Sequence, residues 1–213
     1  GLNTRTQACS TAACSATVIT LTATPSSVAY NRSSTISWSV AGNPTSCTAS
    51  GGWSGAKAAS GSQSTGNLTA NKNYTLTCSG PGGTDSKSVA VSVGAQPSAT
   101  IGLNPTTLPA FNAISGQAAP AGKTLTITNT AAAGSKNLNW TATTNQNWCR
   151  VSPASGSINP GGSAAVNVSV SAPSNVGTFN CTVSISDPNA TNSPQNTVVT
   201  YTVSSAPKPT VSL

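Results

Sequence analysis

The chain contains no histidine, no methionine and no glutamate, and its carboxylate side chains are two aspartates, Asp85 and Asp187. Each absence removes a chemistry. Without histidine the usual general base near neutral pH is missing. Glycoside hydrolysis needs two carboxyl groups flanking one bond, and the two aspartates fall in different predicted domains. Calcium sites need several carboxylates. Zinc sites want close cysteine pairs, often with histidine, and no C-x-x-C spacing occurs. Serine and threonine are abundant, but none has an activating partner. We therefore expect no catalytic residue, no metal and no cofactor: the protein is not an enzyme.

Charge is almost as scarce. Only 5% of residues are charged, against about 25% in an average soluble domain, so solubility rests on hydroxyls and amides. Low charge with much Ser and Gly also marks linkers, but regular alternation of Val, Ile and Leu with Thr and Ser argues for folded strands. The net charge is +7, from nine Lys and Arg: Arg5, Arg32, Lys57, Lys72, Lys87, Lys123, Lys136, Arg150 and Lys208. They are scattered singly, without the clustering a nucleic-acid footprint needs. A diffuse basic surface attracts an acidic polysaccharide or an anionic cell envelope weakly. No apolar run reaches the length of a membrane span. The sequence opens at Gly1 without a charged and apolar leader, which fits a processed, secreted protein.

What is present is a period of two. "TVITLTA" puts Ile19, Leu21 and Ala23 on one face, and "STISWSV" does the same for Ile36, Trp38 and Val40. Tyr74, Leu76 and Cys78 align, as do Val89, Val91 and Val93. Further along, the sets are Leu125 and Ile127; Val166, Val168 and Val170; Phe179, Cys181, Val183 and Ile185; and Val199, Tyr201 and Val203. This is the pattern of strands with one buried face, and Gly and Asn clusters punctuate it. The expected fold is all-β: two antiparallel immunoglobulin-like β-sandwiches in tandem, with extended terminal segments. The boundaries are an N-terminal tail 1–15, a first sandwich 16–94, a linker 95–99, a second sandwich 100–205 and a strand-like tail 206–213. The six cysteines pair most economically within these units, as Cys9–Cys14, Cys47–Cys78 and Cys149–Cys181. Cys78 and Cys181 lie in the inward register of their strands. Such bridges imply an oxidising compartment.

The stretch "SWSV…TSCTASGGWSGAKAASGSQSTGNLTANKNYTLTCSG" resembles a bacterial immunoglobulin-like repeat of secreted proteins. "LNWTATTNQNWCRVSPASGSINPGGSAAVNVSVSA", followed by "GTFNCTVSIS", resembles a BACON-type immunoglobulin-like domain, the matching elements being Trp140, Trp148, the "SPASGSINPGG" turn and the strand after Gly177. The resemblance implies a spacer, an adhesive or carbohydrate-binding module, or a fibre subunit. It also implies that Trp140 is core. Trp38 has inward register and reads as core too. Trp53, in the turn-like "GGWSG", and Trp148, beside the inward Cys149, are the candidates for stacking a sugar.

Two functions follow. "KPTVSL" begins like a strand with no domain behind it, so Pro209, Thr210, Val211, Ser212 and Leu213 are expected to add to a neighbouring copy. Such a head-to-tail contact does not close and propagates into a filament, making the chain a structural subunit of an extracellular bacterial fibre whose partners are copies of itself. The alternative is a non-catalytic adhesion or carbohydrate-binding tandem module from a larger secreted protein, with a cell-surface or acidic polysaccharide as partner. Both readings place the protein outside the cell or at the cell surface, without nucleic acid and without a membrane span.

Overall fold

Ile36, Cys47, Leu76, Leu125, Ile127, Val183 and Ile185 each stand between two Ser or Thr residues, and each is buried. A side chain that alternates with hydroxyls in an extended chain can only turn one way, and the apolar set goes inward. The computed structural model describes residues 15–172 and 175–208, and among them every regular element is a strand. The chain divides into two units, Gly1–Gln96 and Pro97–Leu213. The Cys9–Cys14 pair and the segment Pro209–Leu213 lie outside the described residues.

The first unit holds β1 (Val18–Thr24), β2 (Ser27–Val28), β3 (Thr35–Ala41), β4 (Ser46–Gly51), β5 (Gly55–Ala56), β6 (Ser60–Ser64), β7 (Lys72–Gly80) and β8 (Gly83–Val93). One sheet has the order β1-β3-β6 and the other β2-β8-β7-β4-β5. Ile19 and Ile36 from the first sheet meet Cys47, Tyr74, Leu76, Cys78 and Val91 from the second in one core. The second unit holds β9 (Ile101–Asn104), β10 (Phe111–Ile114), β11 (Lys123–Asn129), β12 (Leu138–Thr144), β13 (Cys149–Ser152), β14 (Ser155–Ile158), β15 (Ser163–Val170), β16 (Gly177–Ser186) and β17 (Gln195–Ser204). Its sheets run β10-β17-β16-β12-β14 and β13-β15-β11-β9, around a core that includes Leu125, Trp140, Val168 and Ile185.

The pairing departs from the expected antiparallel pattern at two places. β2 runs parallel to β8, and β10 runs parallel to β17. In both units the chain leaves its first strand, crosses to the other sheet and lies beside the last strand. Parallel pairing requires a crossover rather than a hairpin, and here that crossover spans most of the unit.

Low charge is met by neutral pairs on the outer faces. Thr75, Thr77 and Ser79 bond hydroxyl to hydroxyl with Ser88, Ser86 and Thr84 across β7 and β8, at 2.7, 2.9 and 2.9 Å. Both aspartates serve the backbone. The amide of Ile19 donates to Asp85 Oδ2 at 2.8 Å and that of Ser86 to Oδ1 at 2.8 Å. Asp187 is fully buried and accepts from the amides of Asn139, at 2.7 Å, and Asn189, at 2.8 Å. The structure joins Cys47 to Cys78 and Cys149 to Cys181. The first bridge links directly opposed residues of neighbouring strands, whereas the second ties β13 to β16 in the facing sheet.

Candidate ligand-binding site

Trp148 lies one residue before β13, where the Cys149–Cys181 bridge pins the chain to the opposite sheet. The amide of Ser171 donates to the Trp148 carbonyl at 2.8 Å, and the Tyr201 hydroxyl donates to the Ser171 carbonyl at 3.2 Å. These bonds set the indole against two more rings. Its centroid is 6.4 Å from Phe179, with the planes at 65°, and 5.7 Å from Tyr201, at 39°. Phe179 and Tyr201 face each other across β16 and β17. Trp148 and Phe179 are half-buried, and Tyr201 is buried. Burial raises the Tyr201 phenol above its ordinary value of 10.0, because the charged form loses its hydration.

The three rings line a hollow of 270 Å³ together with Asn147, Ser171, Ala172 and Asn175. No charged side chain is among them. An aromatic floor with a few convergent amides and a hydroxyl is the make-up of a small-ligand site. The volume, just under the usual range of about 300–1,000 Å³, suits one ring rather than an extended ligand.

The two stacking candidates separate. Trp148 opens onto the hollow. Trp53 does not: it is buried, its Nε1 donates to the Thr75 carbonyl at 2.9 Å, and the rings of Trp38 and Tyr74 approach it at 5.1 and 6.0 Å, both at 78°. The Lys57 ammonium lies 5.1 Å from its ring centroid. The glycines around Trp53 read as a surface turn, but that turn folds the indole back onto rings from β3 and β7. Trp38, expected in the core, is half-buried at its margin, and Trp140 is fully buried. The first unit has a smaller hollow of 210 Å³ above Ile36, Trp53 and Tyr74, rimmed by Ser54, Gln63 and Thr65. It offers no free aromatic face. The Tyr74 phenol is pushed up by burial, an effect the neighbouring Thr65 hydroxyl partly opposes.

Phe179 and Tyr201 were legible in sequence only as inward residues. Their meeting with Trp148 depends on the fold, since the three lie on segments far apart in the chain.

Residues 100–204 match the family model of the viral BACON domain. The match runs from just before β9 to the end of β17, so the hollow lies wholly within the BACON-matching unit. The family's description is viral, and the match bears out the BACON-type part of the sequence reading, not the bacterial repeat expected of the first unit. No curated protein matches the chain. Among solved structures, a Bacteroides ovatus GH5 xyloglucanase in complex with a XXXG heptasaccharide is similar at 20% identity and a TM-score of 0.38 over 51% of this chain. The chain spans only 20% of that enzyme's length. A Porphyromonas gingivalis W83 protein of unknown function is similar at 14% identity and a TM-score of 0.39, over 88% of this chain and 100% of the other. The titin domains z1z2 in complex with telethonin give 11% identity and a TM-score of 0.49, over 91% and 98%. At these scores none of the three informs function. The two disulfides point to a location outside the cytoplasm, and no helix among the described residues is long and apolar enough to cross a membrane.

Proposed function

We propose that the protein is a non-catalytic extracellular binding module whose BACON-matching unit takes a sugar ring in the Trp148 hollow. The hollow itself carries this reading. The C–H face of a sugar is weakly positive and suits the negative face of an indole or phenyl ring, while Asn147, Asn175 and Ser171 offer donors and acceptors to its hydroxyls. The reading is non-catalytic because Asp85 and Asp187 are both committed to backbone amides. The filament subunit expected from Pro209–Leu213 rests on residues outside the described ones, and no described residue adds to it. The binding reading is the one we carry forward.

The test is titration calorimetry against a panel of soluble neutral oligosaccharides. Trp148→Ala and Asn147→Ala are each expected to weaken the best ligand at least tenfold, about 1.4 kcal/mol. Asn147 is exposed, so its loss leaves the core packing intact and separates a binding effect from a folding effect. Unchanged affinity in both variants, with the melting curve preserved, would refute the site.

A further inference from the structure

A second hollow adjoins the first. It has a volume of 610 Å³ and is lined by Thr144, Gln146, Asn147, Arg150, Ser152 and Ser169, among others. Asn147 borders both hollows. Among the described residues, Arg150 is the one charged side chain lining either of them. It lies on β13 opposite Ser169 and is exposed. One residue, Cys149, separates it from Trp148, so their backbones are at most about 7 Å apart. Its guanidinium has no ion pair and no hydrogen bond among the described residues, and no carboxylate lines either hollow. Asp187, the one aspartate of the unit, is buried and accepts from two backbone amides.

A guanidinium is a planar fork of five donors that fits a carboxylate in two parallel bonds. In a chain so poor in charge, a free cation beside an aromatic hollow decides which ligands are favoured. Nothing nearby repels an anion, and the diffuse +7 field draws one in.

We infer that the ligand is an acidic sugar, its ring in the Trp148 hollow and its carboxylate on the Arg150 guanidinium. This rests on the sugar-binding reading above and adds the ligand's charge to it. The shared chemistry is a carboxylate borne on or next to the stacked ring, which a uronic acid and a sialic acid both supply.

The experiment titrates wild type, Arg150→Gln and Trp148→Ala with two matched pairs of probes: an oligogalacturonate and its full methyl ester, and sialyllactose and its methyl ester. Each pair differs only in whether the carboxylate is charged. At least one acid is expected to bind wild type about tenfold more tightly than its ester, with added salt eroding the difference. Arg150→Gln then brings the acid down to the level of the ester and leaves the ester unchanged. Which pair responds tells the uronic from the sialic source. The inference is overturned if acid and ester bind wild type alike, or if Arg150→Gln keeps the preference for the acid. Binding that Trp148→Ala abolishes in those cases leaves the sugar-binding reading standing. If wild type binds none of the four probes, the inference falls whatever the neutral panel shows.

Discussion

Trp38 faces Gly61 across β3 and β6, and Trp140 faces Gly156 across β12 and β14. In each pair the indole lies over the glycine: a Cβ placed there would come within 2.7 Å of Trp38 Cζ2, or 2.8 Å of Trp140 Cζ2. An aromatic ring thus covers the gap that a strand glycine leaves. The two differ in freedom. Trp38 is half-buried with its Nε1 held by the Ala58 carbonyl at 2.9 Å, whereas Trp140 is 1% exposed, and its Nε1 is buried without a partner. Adding a methyl group at Gly156 must therefore push a ring that has nowhere to go. Gly156→Ala is expected to cost about 1–3 kcal/mol, the usual range for overpacking. Gly61→Ala should cost less, since Trp38 can slide toward solvent. Urea unfolding of the two variants checks the order, and equal losses would show that Trp38 is held as rigidly as Trp140. Trp53 shows where sequence reading fails at this scale. Its glycine neighbours were visible, but the rings that enclose it come from distant strands.

At the scale of strands and bridges, the two disulfides close loops of similar length, with sequence separations of 31 and 32. The chain-entropy model gives each about 4 kcal/mol. Their structural roles differ. Cys47–Cys78 joins β4 and β7, which already share a register of six residue pairs. Cys149–Cys181 joins β13 to the facing sheet, and among the described residues β13 otherwise pairs only with β15. Cys149 is also the residue after Trp148. Replacing Cys149 and Cys181 together by Ser is expected to weaken ligand binding as well as stability. The corresponding change at Cys47 and Cys78 should lower stability and leave binding intact. Melting curves and calorimetry on both double variants check this, and full binding without the second bridge would mean that Ser171 and the ring packing place Trp148 alone. The long strands were legible in sequence because a period of two is imposed by the backbone: Leu125, Val168 and Val199 had to turn inward together. β2, β5 and β10 were not, because strands of two to four residues carry too little pattern, and the partners of β2 and β10 lie far along the chain. The candidate site was half legible for the same reason. Trp148 stood out by its neighbour Cys149, but its union with Phe179 and Tyr201 is made by pairing between distant segments.

For the whole molecule, composition sets the response to pH. There is no histidine or glutamate, so no side chain with an ordinary value changes charge between about pH 5 and 8. The four cysteines of the two sandwich bridges do not titrate. The shifts that do stand out belong to Tyr74 and Tyr201, both raised above 10.0 by burial, one in each core. A raised phenol value means that the folded state holds its proton more tightly than the unfolded state. The resulting stability is fully present below the unfolded value of 10.0 and is lost as pH rises past it through the folded values. Thermal stability is therefore expected to stay level from about pH 6 to 9 and to fall steeply above about pH 10. Melting temperatures across that range, with phenolate absorbance followed in parallel, provide the measurement. Tyr74→Phe and Tyr201→Phe should each flatten the alkaline fall, Tyr201→Phe with loss of its bond to Ser171 as well. A drift between pH 6 and 9, or an alkaline fall that survives both substitutions, would mean that other groups govern the pH response.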